Sequence, residues 1–173
     1  KPILSIGITS YKRLNELERC IKSIQTQYVD DIEILVSEDK SPLSEEIKVL
    51  VENIAKESPY NLKFTTNEVN LGYDMNLGSI MQKCQGEYVF LMSDDDAIYE
   101  NCLDEIIPFL KSGVKYGVLY APFVYSDTGK KDRNKGENIA FEAGEENAAK
   151  CVYDSILFSG LIFKREYVVN LDS

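Results

Sequence analysis

The sequence predicts an α/β fold built on a mostly parallel central sheet with helices on both faces, completed by a small antiparallel element near the C-terminus. Three observations predict it. Short apolar runs alternate with amphipathic stretches as far as the acids of Asp94–Asp96, the pattern of strands joined by helical crossovers. Polar residues gather directly after several of these runs, which puts the chemistry at the carboxyl ends of the strands, where open α/β sheets bind ligands. The chain has 173 residues, 44% of them hydrophobic, which suits one domain over residues 1–173 with a real core and hardly two.

Ile3–Thr9 (ILSIGIT) is a near-continuous apolar run that fits a buried first strand. Ser10–Arg13 follows it, and from about Leu14 the residues Leu17, Cys20, Ile21 and Ile24 share one helical face. Ile32–Val36 is the second strand, broken by Ser37–Pro42 before a helix from about Leu43 to Lys56. Leu62–Thr65 makes a short third strand, and Asn67–Asp74 a loop with Gly72 at its positive-φ position. Met75–Cys84 reads as a helix with Leu77, Ile80, Met81 and Cys84 inward. Tyr88–Met92 is a run of five apolar residues, too short for a lone buried helix and suited to the central strand.

Leu103, Ile106, Ile107 and Leu110 define the next helix, which Ser112–Gly113 ends, and Val118–Ala121 is another strand. Asp127–Asn138 has no periodicity and reads as a surface loop whose Lys130, Lys131, Arg133 and Lys135 form a solvated tip. Ala143–Tyr153 fits a short helix, and Ile156–Lys164 a strand with Ser159–Gly160 in its middle, where a glycine marks close approach of another backbone or a ligand. Arg165–Leu171 starts a final helix. There is no internal repeat, linker or low-complexity tract.

Three consecutive carboxylates, Asp94, Asp95 and Asp96, leave the central strand together. They repel one another, and a hard divalent cation with oxygen ligands, Mg2+ or Mn2+, is the usual compensation. The competing reading is a solvated loop in which Asp94 or Asp96 caps the next helix. Thr9–Arg13 lies on the same sheet edge and offers a hydroxyl, an aromatic plate and two cations, a set that suits a base, a ribose and a diphosphate. Asp39 could accept a base N–H that uracil and thymine carry, or could simply form a turn.

Composition narrows the partners. A net charge of −10 and a pI near 4.6 argue against nucleic acid or an anionic membrane surface, both of which need a basic face. The four cysteines are scattered without a C-x-x-C pair, which points to a reducing compartment and no structural zinc. Histidine is absent, so acid–base work falls to carboxylates, Tyr or Lys. No stretch reaches the ~18–20 apolar residues of a membrane span, and no signal-like start precedes Lys1. A cytoplasmic location is expected, with membrane association of a parent enzyme left open. A G-x-G-x-x-G after the first strand and a P-loop are both missing.

The succession ILSIGITSYKR, ILVSEDKS, NLGYDMNLGSIMQKCQGEYVFLMSDDDAI and SGLIFKRE resembles the nucleotide-sugar-binding region of family 2 glycosyltransferases with the Rossmann-like GT-A fold. The resemblance covers almost the whole chain. It implies that Thr9, Tyr11 and Arg13 contact the nucleoside and diphosphate, with Tyr11 against the base. Asp39 would hydrogen-bond the base, with Glu38 where an Asp and Lys40 where a Gly is usual. Asn70 and Gly72 would lie beside the nucleotide. Asp95 would meet the ribose or share the metal, Asp96 would be the principal metal ligand, and Asp94, standing where many relatives have a small residue, would join the nucleotide and metal sites. The implied reaction is a metal-assisted inverting displacement that moves a sugar, most readily from a UDP-sugar, to a hydroxyl of a glycan or lipid-linked acceptor in polysaccharide or surface glycan synthesis. Its carboxylate base is expected beyond Ser173, which makes truncation and inactivity of this chain an expectation too. Two alternatives stand beside it: a nucleotide-sugar-binding module without catalysis, and an aspartate-based phosphotransferase suggested by Asp94-x-Asp96 after a strand.

Overall fold

The computed structural model describes residues 1–113, 116–121, 124, 127–129, 140, 142, 144 and 159–169. All of the expected helix over 143–153 except Gly144, most of the loop over 127–138 with its basic run, and the first part of the strand over 156–164 lie outside the described residues. The elements in chain order are β1 (Leu4–Ser10), α1 (Leu14–Ser23), β2 (Ile32–Glu38), α2 (Ser44–Glu57), β3 (Asn61–Thr66), α3 (Tyr73–Lys83), β4 (Tyr88–Ser93), α4 (Cys102–Lys111), β5 (Val118–Tyr120) and β6 (Leu161–Lys164). They form a six-stranded sheet ordered β3-β2-β1-β4-β6-β5. The first four strands are mutually parallel; β6 runs antiparallel to both β4 and β5.

Every residue of β1 and β2 is buried, because these strands sit inside the sheet with both faces covered, which is what a continuous apolar run encodes. Leu4, Ile6, Ile8, Ile34, Val36, Phe90 and Met92 face α1, α2 and α4 through Leu17, Cys20, Ile47, Val51, Leu103 and Ile107. Leu35, Val89 and Leu91 face α3 through Ile80 and Cys84. Burying each such aliphatic side chain stabilises the fold by about 1.5–3 kcal/mol relative to leaving it exposed. Helices therefore do cover both faces. α3 packs closely over Gly7, where an added Cβ would lie 3.2 Å from Ile80 Cδ1.

Two expectations near the C-terminus need correction. The last strand begins only at Leu161: Gly160 has a φ of +111°, and a Cβ there would lie 2.5 Å from the Ala121 carbonyl oxygen. Ser159–Gly160 is thus a turn before the strand, although the close backbone approach expected of the glycine is present. Arg165–Tyr167 is a single 3-10 turn rather than the start of an α-helix. The helix-cap reading of the acid triplet also fails, since α4 starts at Cys102 behind Asn101, with no side-chain cap.

The amino end of the sheet is closed by a buried carboxylate. Glu33 Oε1 accepts the Ser5 hydroxyl and the Gln85 N–H, both at 2.6 Å, and Oε2 pairs with Lys63 Nζ at 3.1 Å. Ser5 Oγ in turn accepts the Gly86 N–H at 2.7 Å. Only glycine fits there, because a Cβ at residue 86 would stand 2.6 Å from the Ser5 nitrogen. Burial alone would raise the Glu33 pKa, but the Ser5, Gln85 and Lys63 donors outweigh it and hold the carboxyl below its ordinary value. Glu33→Gln is expected to cost about 1–3 kcal/mol at neutral pH, since the amide keeps one oxygen for Ser5 and Gln85 but sets a donor nitrogen against Lys63 in place of Oε2. A depressed pKa contributes stability above the unfolded-state value that is lost as the pH falls through the folded one. The parent–variant difference in urea unfolding should therefore narrow below pH 4.5; a difference independent of pH would show that the charge contributes nothing.

Candidate functional site

Strand order reverses between β1 and β4, since β2 and β3 extend the sheet one way and β4 the other. Connections diverge at such a point and leave a crevice outside the carboxyl ends. Thr9 is in register with Ser37 of β2 and with Ser93 of β4, so Ser10–Arg13, Glu38–Ser41 and Asp94–Asp96 emerge side by side. Thr9 and Ser10 are themselves buried at this edge.

The first lip of the crevice is the turn after β1. Lys12 takes a left-handed conformation with φ 64°, which reverses the chain tightly before α1. Asp94, only 3% exposed, holds this turn: Oδ2 accepts the Tyr11 N–H at 3.2 Å and Oδ1 pairs with Arg13 Nη1 at 3.0 Å. The same Arg13 nitrogen lies 2.5 Å from Asp95 Oδ2, and Asp95 Oδ1 accepts the Ser93 hydroxyl at 2.5 Å. Arg19 Nη2 donates to the Asp95 carbonyl at 2.8 Å. The Tyr11 ring is partly exposed, with Lys12 Nζ 4.9 Å from its centre.

These acids differ in charge state and availability. Burial pushes the Asp94 pKa up despite Tyr11 and Arg13, whereas for Asp95 the upward effect of burial is outweighed by Ser93 and Arg13, which hold it low. The Cys20 thiol beneath them is pushed up to about 12 by burial and by the three acids. Tyr73 is raised by burial and by Asp74, Asp95 and Asp96, so the start of α3 faces the same negative field. Among the described residues no three acidic side chains converge as a metal-holding cluster. Asp94 points inward with a donor on each oxygen, Asp95 is half exposed, and Asp96 is half-buried with no hydrogen bond to its carboxylate among the described residues.

The second lip is built on Asp39, which is 4% exposed. Its Oδ1 accepts Asn67 Nδ2 at 2.8 Å and the Leu71 N–H at 2.9 Å; its Oδ2 accepts the Gly72 N–H at 2.8 Å. Asn70 Oδ1 shares that Gly72 N–H at 2.9 Å, and Gly72 has a φ of 80°, the conformation expected of it. Glu38 is fully buried and ties the edge together, accepting the Ser41 N–H at 2.8 Å and the Thr66 hydroxyl at 3.1 Å. Lys40, at the position where glycine is usual, keeps a left-handed φ of 53°.

Sequence reasoning missed the amides behind Asp39. Asn67 Nδ2 also donates to Asn76 Oδ1 at 3.0 Å, which accepts the Ser37 hydroxyl at 2.8 Å, while Asn76 Nδ2 donates to the Ser37 carbonyl at 3.2 Å. Both asparagines are buried. The one signal that could have found Asn76 is a polar side chain on the inward face of α3, one turn before Ile80. The structure thus brings Thr9, Tyr11, Arg13, Asp94, Asp95 and Asp96 to one lip of the crevice and Asp39, Asn70 and Gly72 to the other.

A mostly parallel α/β sheet with charged and aromatic groups at its switch point defines the class of open α/β domains that bind ligands outside the carboxyl ends of their strands. The pattern described as Glycosyl transferase family 2 matches residues 5–170, and the chain belongs to that family. The GalNAc(5)-diNAcBac-PP-undecaprenol beta-1,3-glucosyltransferase of Campylobacter jejuni is 27% identical over 98% of this chain and 54% of its own length. The abequosyltransferase RfbV of Salmonella typhimurium is 27% identical over 64% of this chain and 33% of its length. The chain therefore spans about half or less of these curated relatives. In structure it is similar to S. aureus TarS in complex with UDP, with a TM-score of 0.74 at 18% identity over 94% of this chain and 46% of that one. It is likewise similar to the mannosyltransferase PcManGT of Pyrobaculum calidifontis in complex with GDP-Man and Mn2+, with a TM-score of 0.71 at 16% identity over all of this chain and 47% of that one. These likenesses establish the GT-A fold.

Asp94 gives a test of opposite sign to Glu33. Its raised pKa means that the folded state binds the proton more tightly, so its contribution to stability falls as the pH rises from the ordinary value of 3.8 through the folded one. Asp94→Asn removes that dependence. The stability of the variant relative to the parent, from denaturant unfolding, is expected to increase on going from acid to neutral pH; a decrease would mean that the Arg13 pairing dominates burial.

Proposed function

We propose that this chain is the nucleotide-sugar-binding domain of an inverting glycosyltransferase that uses a nucleoside-diphosphate sugar and a divalent cation. The observation that carries the reading is the convergence, at one switch point, of the exposed Tyr11 ring, the Arg13 guanidinium and the acids Asp95 and Asp96, with the buried Asp39 carboxylate on the facing lip. In this reading the base lies against Tyr11 and donates an N–H to Asp39. The diphosphate meets Arg13, whose exposed side chain can exchange its Asp95 contact for a phosphate oxygen. Thr9 lines the floor, and the Asn70–Gly72 loop flanks the nucleoside.

The donor set fits a hard cation. Asp96 has an uncommitted carboxylate and Asp95 a half-exposed one, both oxygen donors of the kind Mg2+ and Mn2+ take; Asp94, with both oxygens engaged, serves instead to hold the β1 turn in place. When bound, the cation supplies Lewis-acid compensation for charge growing on the departing phosphate. Arg13 would add its own positive charge to that compensation. The acceptor hydroxyl, on a glycan or lipid-linked glycan as in the Campylobacter relative's name, requires a carboxylate base that we assign to none of the described residues. No helix among the described residues is long and apolar enough to cross a membrane.

The phosphotransferase alternative gains no support, because a nucleophilic Asp94 would need a free oxygen at the surface and it is 3% exposed with Tyr11 and Arg13 on its oxygens. Calorimetric titration with UDP should detect binding that requires Mn2+ or Mg2+. Asp96→Ala is expected to weaken it at least about tenfold, equivalent to about 1.4 kcal/mol, without lowering the unfolding temperature. If no nucleoside diphosphate binds with either cation, the reading is wrong.

A further inference from the structure

The buried amides behind Asp39 bear on which nucleoside the domain accepts. An ionised carboxylate offers about four acceptor positions, two on each oxygen. In Asp39 both positions of Oδ1 are taken, by Asn67 Nδ2 at 2.8 Å and by the Leu71 N–H at 2.9 Å, and one of Oδ2 is taken by the Gly72 N–H at 2.8 Å. Among the described residues nothing takes the second position on Oδ2. Asn67 cannot turn its amide around, because its oxygen would then face the acceptor-only carboxylate. It is braced in this sense by Asn76 Oδ1 at 3.0 Å and by the Ser79 hydroxyl on its own oxygen at 3.4 Å. Asn76 is fixed in turn by two bonds to Ser37.

We propose that Asn67, oriented by Asn76, is a specificity-determining residue: by filling Oδ1 of Asp39 it restricts base recognition to a single N–H donor, and so selects uracil-type nucleotides over guanine. This rests on the donor-site reading given above. Uracil presents one imino N–H between two carbonyl groups and matches a single acceptor. Guanine presents two adjacent donors, its ring N–H and its exocyclic amine, which a carboxylate meets with one oxygen each. With Oδ1 filled, the second guanine donor enters the site without a partner, and an unpaired buried polar group is what a binding site discriminates against most strongly. Asn67 touches neither diphosphate nor sugar in this arrangement and acts only through Asp39.

Hypoxanthine separates donor number from size, because it is a purine with the ring N–H and no exocyclic amine. Calorimetric affinities for UDP, IDP and GDP, each with Mn2+, should be measured on the parent chain, Asn67→Ala and Asn76→Ala. In the parent, GDP is expected to bind about tenfold or more weaker than IDP. In Asn67→Ala, where Leu71 and Gly72 still hold Asp39, the GDP/IDP ratio should move towards one, and in Asn76→Ala it should move the same way by less. If Asn67→Ala does not fold, Asn76→Ala decides. A GDP/IDP ratio that is the same in parent and variants, even with all affinities reduced together, means that the network is only structural and overturns the proposal. So does a parent that binds UDP but neither purine, since size would then set the selectivity. A parent that binds no UDP overturns the donor-site reading itself and this inference with it.

Discussion

A carboxylate taken out of water has to be met by donors, and the carboxyl edge of this sheet is shaped by that requirement. Asp94 and Asp39 are 3% and 4% exposed; Asp94 is met by one backbone N–H and the Arg13 guanidinium, and Asp39 by two backbone N–H groups and the Asn67 amide. Tyr11 closes on Asp94, and Leu71 and Gly72 close on Asp39. The two loops that would touch a nucleotide are therefore fixed before any ligand arrives, each by a buried acid that the ligand need not displace. Preorganisation of this kind lowers the ordering cost of binding.

Arg13 links the buried and the exposed parts of the acid cluster. One guanidinium nitrogen stands between Asp94 and Asp95, so a single cation offsets two of three adjacent negative charges while remaining half exposed. The amino end of the sheet solves the same problem differently. There Glu33 receives a hydroxyl, a backbone N–H and Lys63, its pKa is held low, and the result is a brace. At the carboxyl end Asp94 is left with a raised pKa. There the Tyr11 N–H and Arg13 hold the β1 turn on Asp94 without fully offsetting its burial.

Much of this was legible in the sequence. Continuous apolar runs gave β1, β2 and β4 to within a residue or two, because a strand buried on both faces needs no alternation. Gly72 was recognisable from its loop, and the exchange of glycine for Lys40 marked a backbone position that does take the left-handed conformation. The Asn67–Asn76–Ser37 network was not legible. Its members are uncharged, follow no period, and pair across separations of 9 and 39 residues. The last strand was misjudged because the apolar pattern of residues 156–164 runs through Gly160, whose backbone is turned by its contact with Ala121.

The sequence by itself determined the order of strands and helices from β1 to β5, the grouping of acids, cations and an aromatic at strand ends, and the family to which the chain belongs. Local periodicity and residue type encode the elements and their polar ends directly, and the resemblance of the four motifs carried the family. Only the tertiary structure decided which carboxylates are free and which are engaged among the described residues: Asp94 turned inward, Asp95 shared with Arg13, Asp96 uncommitted, and Asp39 left with one acceptor position. The reason is physical. Availability of a charged group depends on burial and on donors brought from distant segments, and both come into being only when the sheet sets β1, β2 and β4 side by side.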